Sequence, residues 1–137
     1  MIKYLYSSEC CFICIKHPFI YINQKIMNIS WHDFEKIEIY VGIILEVNDF
    51  PKARKPAYQL LIDFGKEIGL KKSSAQITVH YKKEDLINRQ VIAVVNFSPK
   101  QVADFISECL VLGVYDEHND VVLLQPDRRL VNGCKVG

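Results

Sequence analysis

The sequence predicts an all-β fold: a five-stranded Greek-key barrel with short helices and extra strands at its termini. Three observations lead there. At least five short segments rich in Val, Ile, Leu, Tyr and Phe are separated by Pro, Gly and Asn-Asp turn signals. One short helical segment, residues 82–87, falls between the third and fourth of them. The segment 90–97, QVIAVVNF, is an apolar run of the kind found in strands buried on both faces or closed into a barrel.

The elements follow in order. Ser30 can cap a short helical turn over WHDFE, with Asp33 as an acid in its first turn. Residues 37–47 alternate and then turn continuously apolar, which predicts a long first strand with Gly42 where it must bend or bulge. Asn48-Asp49-Phe50-Pro51 is a turn, and Lys52-Ala53-Arg54-Lys55-Pro56 is a basic loop bounded by prolines. Residues 58–64 form a second strand stopped by Gly65. Residues 68–70 and 75–79 read as a third, interrupted strand. After the short helix and the fourth strand, residues 98–101 read as a loop and 109–114 as a fifth strand. Glu117-His118-Asn119-Asp120 turns the chain into a last strand, 121–124. That count and the helix position fit a barrel of the oligonucleotide/oligosaccharide-binding (OB) type; strand spacing alone also allows a sandwich.

Composition bounds the class. The chain has 137 residues, half of them hydrophobic, and a net charge of +1. That is one domain with enough apolar content for a core that needs no disulfide or metal. Near-neutral charge excludes a disordered tail and a histone-like DNA coat. No apolar run approaches the roughly 18 residues of a membrane helix, so no membrane insertion is expected. The first 27 residues differ from the rest. They hold Cys10, Cys11 and Cys14, many aromatics and a single acid, Glu9. They read as a poorly defined extension or as sequence ahead of a true start near Met27, with residues 28–137 as the domain. Cys11 and Cys14 form a CxxC, but no second pair or His cluster completes a zinc site. No cofactor or metal is expected. With no cleavable signal pattern and no paired cysteines, a reducing cytoplasm is the expected compartment.

No catalytic constellation is present. GxSxG, the P-loop, HExxH and paired-carboxylate spacings are all missing, so the chain does not read as an enzyme. His32, His80 and His118 read as surface histidines. Two binding chemistries remain. A groove that combines cations with aromatics suits single-stranded RNA, and a rimmed apolar surface suits unfolded polypeptide.

The stretches DFEKIEIYVG (33–42), FPKARKPAYQLLIDFGKEIGLKKSSAQIT (50–78), LINRQVIAVVNFSPKQVADFISECLVLGV (86–114) and VVLLQPDRRLVNG (121–133) carry a resemblance. Together they resemble the tRNA-binding domain family of OB-folds, and more closely the CsaA-type protein-export chaperones within it. The resemblance covers residues 29–137 and none of the front segment. It implies a non-catalytic homodimer that binds tRNA and unfolded or pre-secretory polypeptides.

By position, the 50–56 loop matches the segment between the first two barrel strands. Ser73-Ser74-Ala75-Gln76 stands where related tRNA binders carry an S-G-L turn, Asn96 to Lys100 matches an N-x-x-P-basic motif, and Ser107-Glu108-Cys109-Leu110 matches S-E-G-M. The resemblance and the local charge together nominate Lys52, Arg54, Lys55, Lys71, Lys72, Ser73, Asn96, Lys100 and Ser107 for RNA. Phe50, Phe97, Phe105 and Leu110 are nominated for polypeptide, with exposure expected of Phe50 and Phe105 because they lie beside loops. Trp31 and Phe34, with the last strands and tail, are nominated for the dimer surface. The chain departs from the family pattern at Tyr40, Ser98, Lys100, Cys109 and Leu110, where Arg, Pro, Arg, Gly and Met are frequent. Lysine offers a point charge where arginine offers a bidentate fork, so the departures weaken the expectation of strong phosphate contacts.

Overall fold

The computed structural model describes residues 28–137; the CxxC and the expected front extension lie outside them. Ser30 does cap the first helix, α1 (Trp31–Glu35). Its hydroxyl accepts from the Asp33 amide at 3.2 Å while the Asp33 carboxylate accepts from the Ser30 amide at 3.1 Å, a reciprocal capping box. β1 (Ile39–Asp49) follows, then β2 (Tyr58–Asp63), β3 (Leu70–Ala75), α2 (Lys83–Leu86) and β4 (Gln90–Val94). Three short pieces come next, β5 (Lys100–Val102), β6 (Phe105–Ser107) and β7 (Leu110–Val111). A hairpin of β8 (Gly113–Tyr115) and β9 (Val121–Leu123) precedes the tail.

The main sheet is antiparallel throughout, in the order β3-β2-β1-β4-β7, and it curls until its two edge strands meet. This is the nearly closed five-stranded OB-type barrel expected from the strand count, with its short helix between β3 and β4. Closure is made by a few bonds. The Glu108 amide donates to the Lys72 carbonyl at 2.8 Å, and the Lys72 amide to the Glu108 carboxylate at 2.9 Å. The Ser73 hydroxyl donates to the Cys109 carbonyl at 3.0 Å. Ile44, Leu60, Ile62, Phe64, Ile77, Leu86 and Val91 fill the interior, each at or below 2% exposure. β4 is buried on both faces, with Val91, Ala93 and Val94 all inside, as its apolar run required.

Four details differ from the expectations. The bulge in β1 is not at Gly42. Ile44 faces Ile62 and Glu46 faces Leu61, so Leu45 is the extra residue. Gly42 instead makes room: a Cβ there would lie 2.7 Å from the Ile62 Cγ2 and 2.7 Å from the Phe64 ring. The third strand is the single run LKKSSA, whereas Gln76 to Val79 leave the sheet. The expected loop at 98–101 ends early, because Lys100 already begins a hairpin, with Lys100 opposite Ser107 and Val102 opposite Phe105. The fifth strand divides at Leu112, whose amide donates to Ile92 of β4 at 2.8 Å while its carbonyl accepts from Leu124 at 3.0 Å. One residue thus hands the chain from the barrel to the β8–β9 hairpin.

The tail takes over the edge of β1 below the point where β2 departs. The Val41 amide donates to Cys134, and the Gly133 amide to Val41, at 2.9 and 2.8 Å. Gly133 has φ +88, and a Cβ there would meet the Phe64 carbonyl at 2.6 Å, so the crossing requires glycine. Among the described residues no helix is long and apolar enough to cross a membrane.

Candidate nucleic-acid interface

The loop between β1 and β2 is pinned at its root. The Phe50 ring is buried, and the Phe50 amide donates to Ala57 at 3.2 Å to close the loop. The Phe50 ring meets Phe105 of the β5–β6 hairpin at 5.6 Å between centroids, tilted by 56°. Beside the rings, the Lys52 ammonium pairs with the Asp104 carboxylate at the hairpin turn, and that ammonium holds the carboxyl below the usual carboxylate range. Two elements far apart in sequence are thereby held together, and the basic loop is presented with Arg54 and Lys55 exposed. Lys100 is exposed on β5, opposite Ser107 in register. Among the described residues, no carboxylate pairs with Arg54, Lys55 or Lys100.

Several nominated residues are placed otherwise. Ser73 is buried at 1%, with its hydroxyl spent on closing the barrel, so it offers nothing to RNA. The amide of Asn96 is also occupied: its Oδ1 accepts from the Glu38 amide at 3.0 Å, and its Nδ2 donates to the Lys36 carbonyl at 2.7 Å. It ties the end of β4 to the start of β1. The Ser107 hydroxyl is half-buried and donates to the Cys109 carbonyl at 3.2 Å while facing the Ser74 amide at 3.4 Å. Lys72 is exposed and Lys71 half-buried, both on β3, where the Lys72 backbone serves closure.

The expected exposure of Phe50 is corrected to burial, because its ring roots the loop, and Phe105 is half-buried against it. Phe97 and Leu110 are 55% and 50% exposed, as a contact surface needs. Trp31 is exposed and leans on Phe34 at 5.5 Å, with its indole N–H donating to Glu35. Cys109 is buried, and burial pushes its thiol up to about 11.

A feature the sequence did not signal lies beside the basic loop. An open groove of about 640 Å³ runs between Lys55-Pro56, the segment 74–79 and the β7–β9 strands. Its floor includes Ile77 and Leu123, and Tyr115, 73% exposed, stands on its lining. Past it, the His80 ring nitrogen meets the Asp116 carboxylate at 2.7 Å, joining the chain after β3 to the β8–β9 hairpin. The other Asp116 oxygen accepts from the amides of His118 and Asp120 at 2.8 and 2.9 Å. Those contacts hold its carboxyl below the usual range, the Asp120 amide foremost. His80, Asp116 and Asp120 present ligand atoms within 4.8 Å of one another, but Asp116 is already fully engaged as the clamp of the hairpin.

The sequence family described as "Putative tRNA binding domain" matches residues 39–135, which is the barrel with its tail. The chain belongs to the tRNA-binding domain family. Within that family it groups with the CsaA-type proteins. It is 57% identical to the CsaA chaperone of Picrophilus torridus, with a TM-score of 0.76 over 80% of this chain and 100% of that one. The CsaA chaperone of Bacillus anthracis gives 50% identity and a TM-score of 0.77, over 81% of this chain and all of that one. The methionine–tRNA ligase of Pyrococcus furiosus is 38% identical over 118 residues, which are 82% of this chain and 15% of the ligase. This tRNA-binding domain thus spans about a sixth of the length of the curated ligases it matches, and the family is one of binding domains rather than catalytic ones.

Proposed function

We propose that the protein binds tRNA through the face that carries the 50–57 loop and the β5–β6 hairpin. One observation carries this reading. The Phe50–Phe105 and Lys52–Asp104 contacts bring the basic loop onto the hairpin that holds Lys100 and Ser107, so separate motif segments of the tRNA-binding domain converge on one surface. Arg54, Lys55 and Lys100 supply phosphate contacts, with Lys72 at the edge, and the loop is ordered before the ligand arrives, which lowers the entropy cost of binding.

A second activity is supported by exposed apolar groups next to that face. Phe97, Ile106 and Leu110 are each at least half exposed, a surface that suits segments of unfolded polypeptide. Two solved relatives are named as chaperones, and the protein works as such a chaperone for unfolded or pre-secretory chains. It acts as a homodimer in a reducing cytoplasm, with the exposed Trp31 and its neighbour Phe34 on the dimer surface. Sedimentation showing only monomer at micromolar concentration overturns the dimer.

Two titrations test the functions, one with tRNA over a salt series and one with a reduced, unfolded polypeptide. The tRNA affinity falls steeply with salt, whereas polypeptide binding is nearly insensitive to it. Replacing Arg54 and Lys55 together by alanine weakens tRNA binding and flattens the log–log salt slope by about 1.4, at roughly 0.7 per lost contact to a single strand. An unchanged slope in that variant removes the loop from the RNA site.

A further inference from the structure

We propose that the groove beside the basic loop seats an unpaired nucleobase of the bound RNA, stacked on Tyr115, with the adjoining phosphate on Lys55. This deepens the tRNA-binding reading and rests on it.

The groove exists because the barrel closes at one end of its seam only. Bonds from Lys72 and Ser73 to Glu108 and Cys109 zip the seam. Past Ala75 the chain turns away toward α2, with the Tyr81 amide donating to Ile77 at 3.2 Å, while Leu112 passes the opposite strand to β9. The walls part, and the opening of about 640 Å³ is floored by Ile77 and Leu123, which are 2% and 6% exposed. Apolar floors with a few polar groups are what small aromatic heterocycles occupy.

The polar groups fit a base. Gln76, Thr78 and Asn119 line the groove, and no hydrogen bond within the described residues engages their side chains. They remain available to a base edge. Asp120 is the one carboxylate among the lining residues; it suits amino or imino N–H donors on a base and repels a phosphate. Phosphate is served at the other end, where Lys55 lines the groove and continues into the exposed loop. Within one chain Tyr115 spends little of its ring on packing, being 73% exposed, and a base on it leaves the dimer surface to Trp31, Phe34 and the tail. A flat ring and a cation on the lining of one groove are the parts that hold a splayed-out base and its phosphate without reading the base's identity strongly. An extended peptide would also pair its backbone with those side chains, but it brings neither a flat heterocycle for Tyr115 nor a phosphate for Lys55.

The test uses the full chain, total tRNA and a short single-stranded RNA, with Tyr115→Ala, Tyr115→Phe and Lys55→Ala. Because Tyr115 is exposed, the first two retain the wild-type melting midpoint. Tyr115→Ala lowers affinity for both RNAs by about tenfold with the salt slope unchanged, as loss of one stacking contact should. Tyr115→Phe stays within twofold of wild type, and Lys55→Ala flattens the slope by about 0.7. Wild-type tRNA binding with an unaffected Tyr115→Ala variant overturns the base site and leaves the tRNA reading standing. A wild type that binds no tRNA overturns both. Loss of unfolded-polypeptide binding in Tyr115→Ala, with RNA affinity intact, overturns the proposal in favour of a peptide groove.

Discussion

Two walls of the same barrel are held together in different ways. On the wall where β1 crosses the end of β2, Ile62 and Phe64 press against the bare backbone of Gly42, and the tail crosses at Gly133. Ile62 and Phe64 both belong to the buried apolar cluster of the core. Past the other end of β1, the 50–57 loop meets the β5–β6 hairpin through one ring pair and one exposed ion pair. The first wall has redundancy and the second has very little. Stability resides in the first, while recognition depends on two contacts whose removal leaves the barrel intact.

The largest effect belongs to the apolar wall. Ile62 is fully buried, and Ile62→Ala removes buried methyl groups and leaves a cavity, costing about 2–5 kcal/mol in urea unfolding. Gly42→Ala overpacks the same place, since its Cβ would need the space that Ile62 and Phe64 occupy, and costs about 1–3 kcal/mol. The folded fraction of either variant binds tRNA with wild-type affinity. A weaker intrinsic affinity would mean that the two walls are coupled.

Phe105→Ala reverses the pattern. Losing the ring pair costs about 0.5–1.5 kcal/mol beyond the area it buries, a small part of the barrel's stability. The hairpin and the loop are then free to part, and tRNA affinity falls severalfold, read by filter binding at fixed salt. A drop in stability with unchanged affinity would show that the ring pair packs the hairpin without organising the site. Asp104→Asn breaks the second contact and frees the loop from the hairpin, so tRNA affinity falls, by less than in Phe105→Ala because the released Lys52 gains a phosphate to meet. Tighter binding with a salt slope steeper by about 0.7 would show that the Lys52–Asp104 pair masks a charge more than it positions the loop.

The same contrast explains what can be read in the sequence. β1, β2, β4 and β9 lie where apolar periodicity decides the outcome, and their segments are legible to within two or three residues. β3 escapes that reading because LKKSSA has no apolar inner face; its buried member is Ser73, made tolerable indoors by the hydrogen bond to Cys109. Periodicity cannot register a polar residue satisfied by a carbonyl 36 positions away. The three-residue strands β5 and β6 are too short to show a pattern at all.

In the site, resemblance locates the right segments, but side-chain direction stays hidden. Ser73 and Asn96 spend their polar atoms on the fold, and Phe50 roots the loop it was expected to decorate. Nothing local marks Tyr115; its value comes from a groove whose other wall lies far earlier in the chain, at 74–79. An aromatic at the end of a strand, just before a polar turn, is the one available signal.

The smallest effect tests the clamp at the far end of the groove. The Asp116 carboxyl is held below the ordinary carboxylate range, first by the amide of Asp120 and then by the amide of His118 and the His80 ring, with burial opposing. The native state therefore holds the proton less readily than the unfolded chain. The stability this contributes is fully present above the unfolded value of about 4 and is lost as pH falls through the lowered native value. Asp116→Asn keeps an oxygen for the turn amides but removes the charge. Its melting midpoint at neutral pH lies slightly below that of the wild type, and the gap closes as both are acidified through that window. A gap that stays constant from neutral pH into the acid range would mean that the hairpin needs only the hydrogen bonds, and that the clamp beside the groove does not depend on the ionised carboxylate.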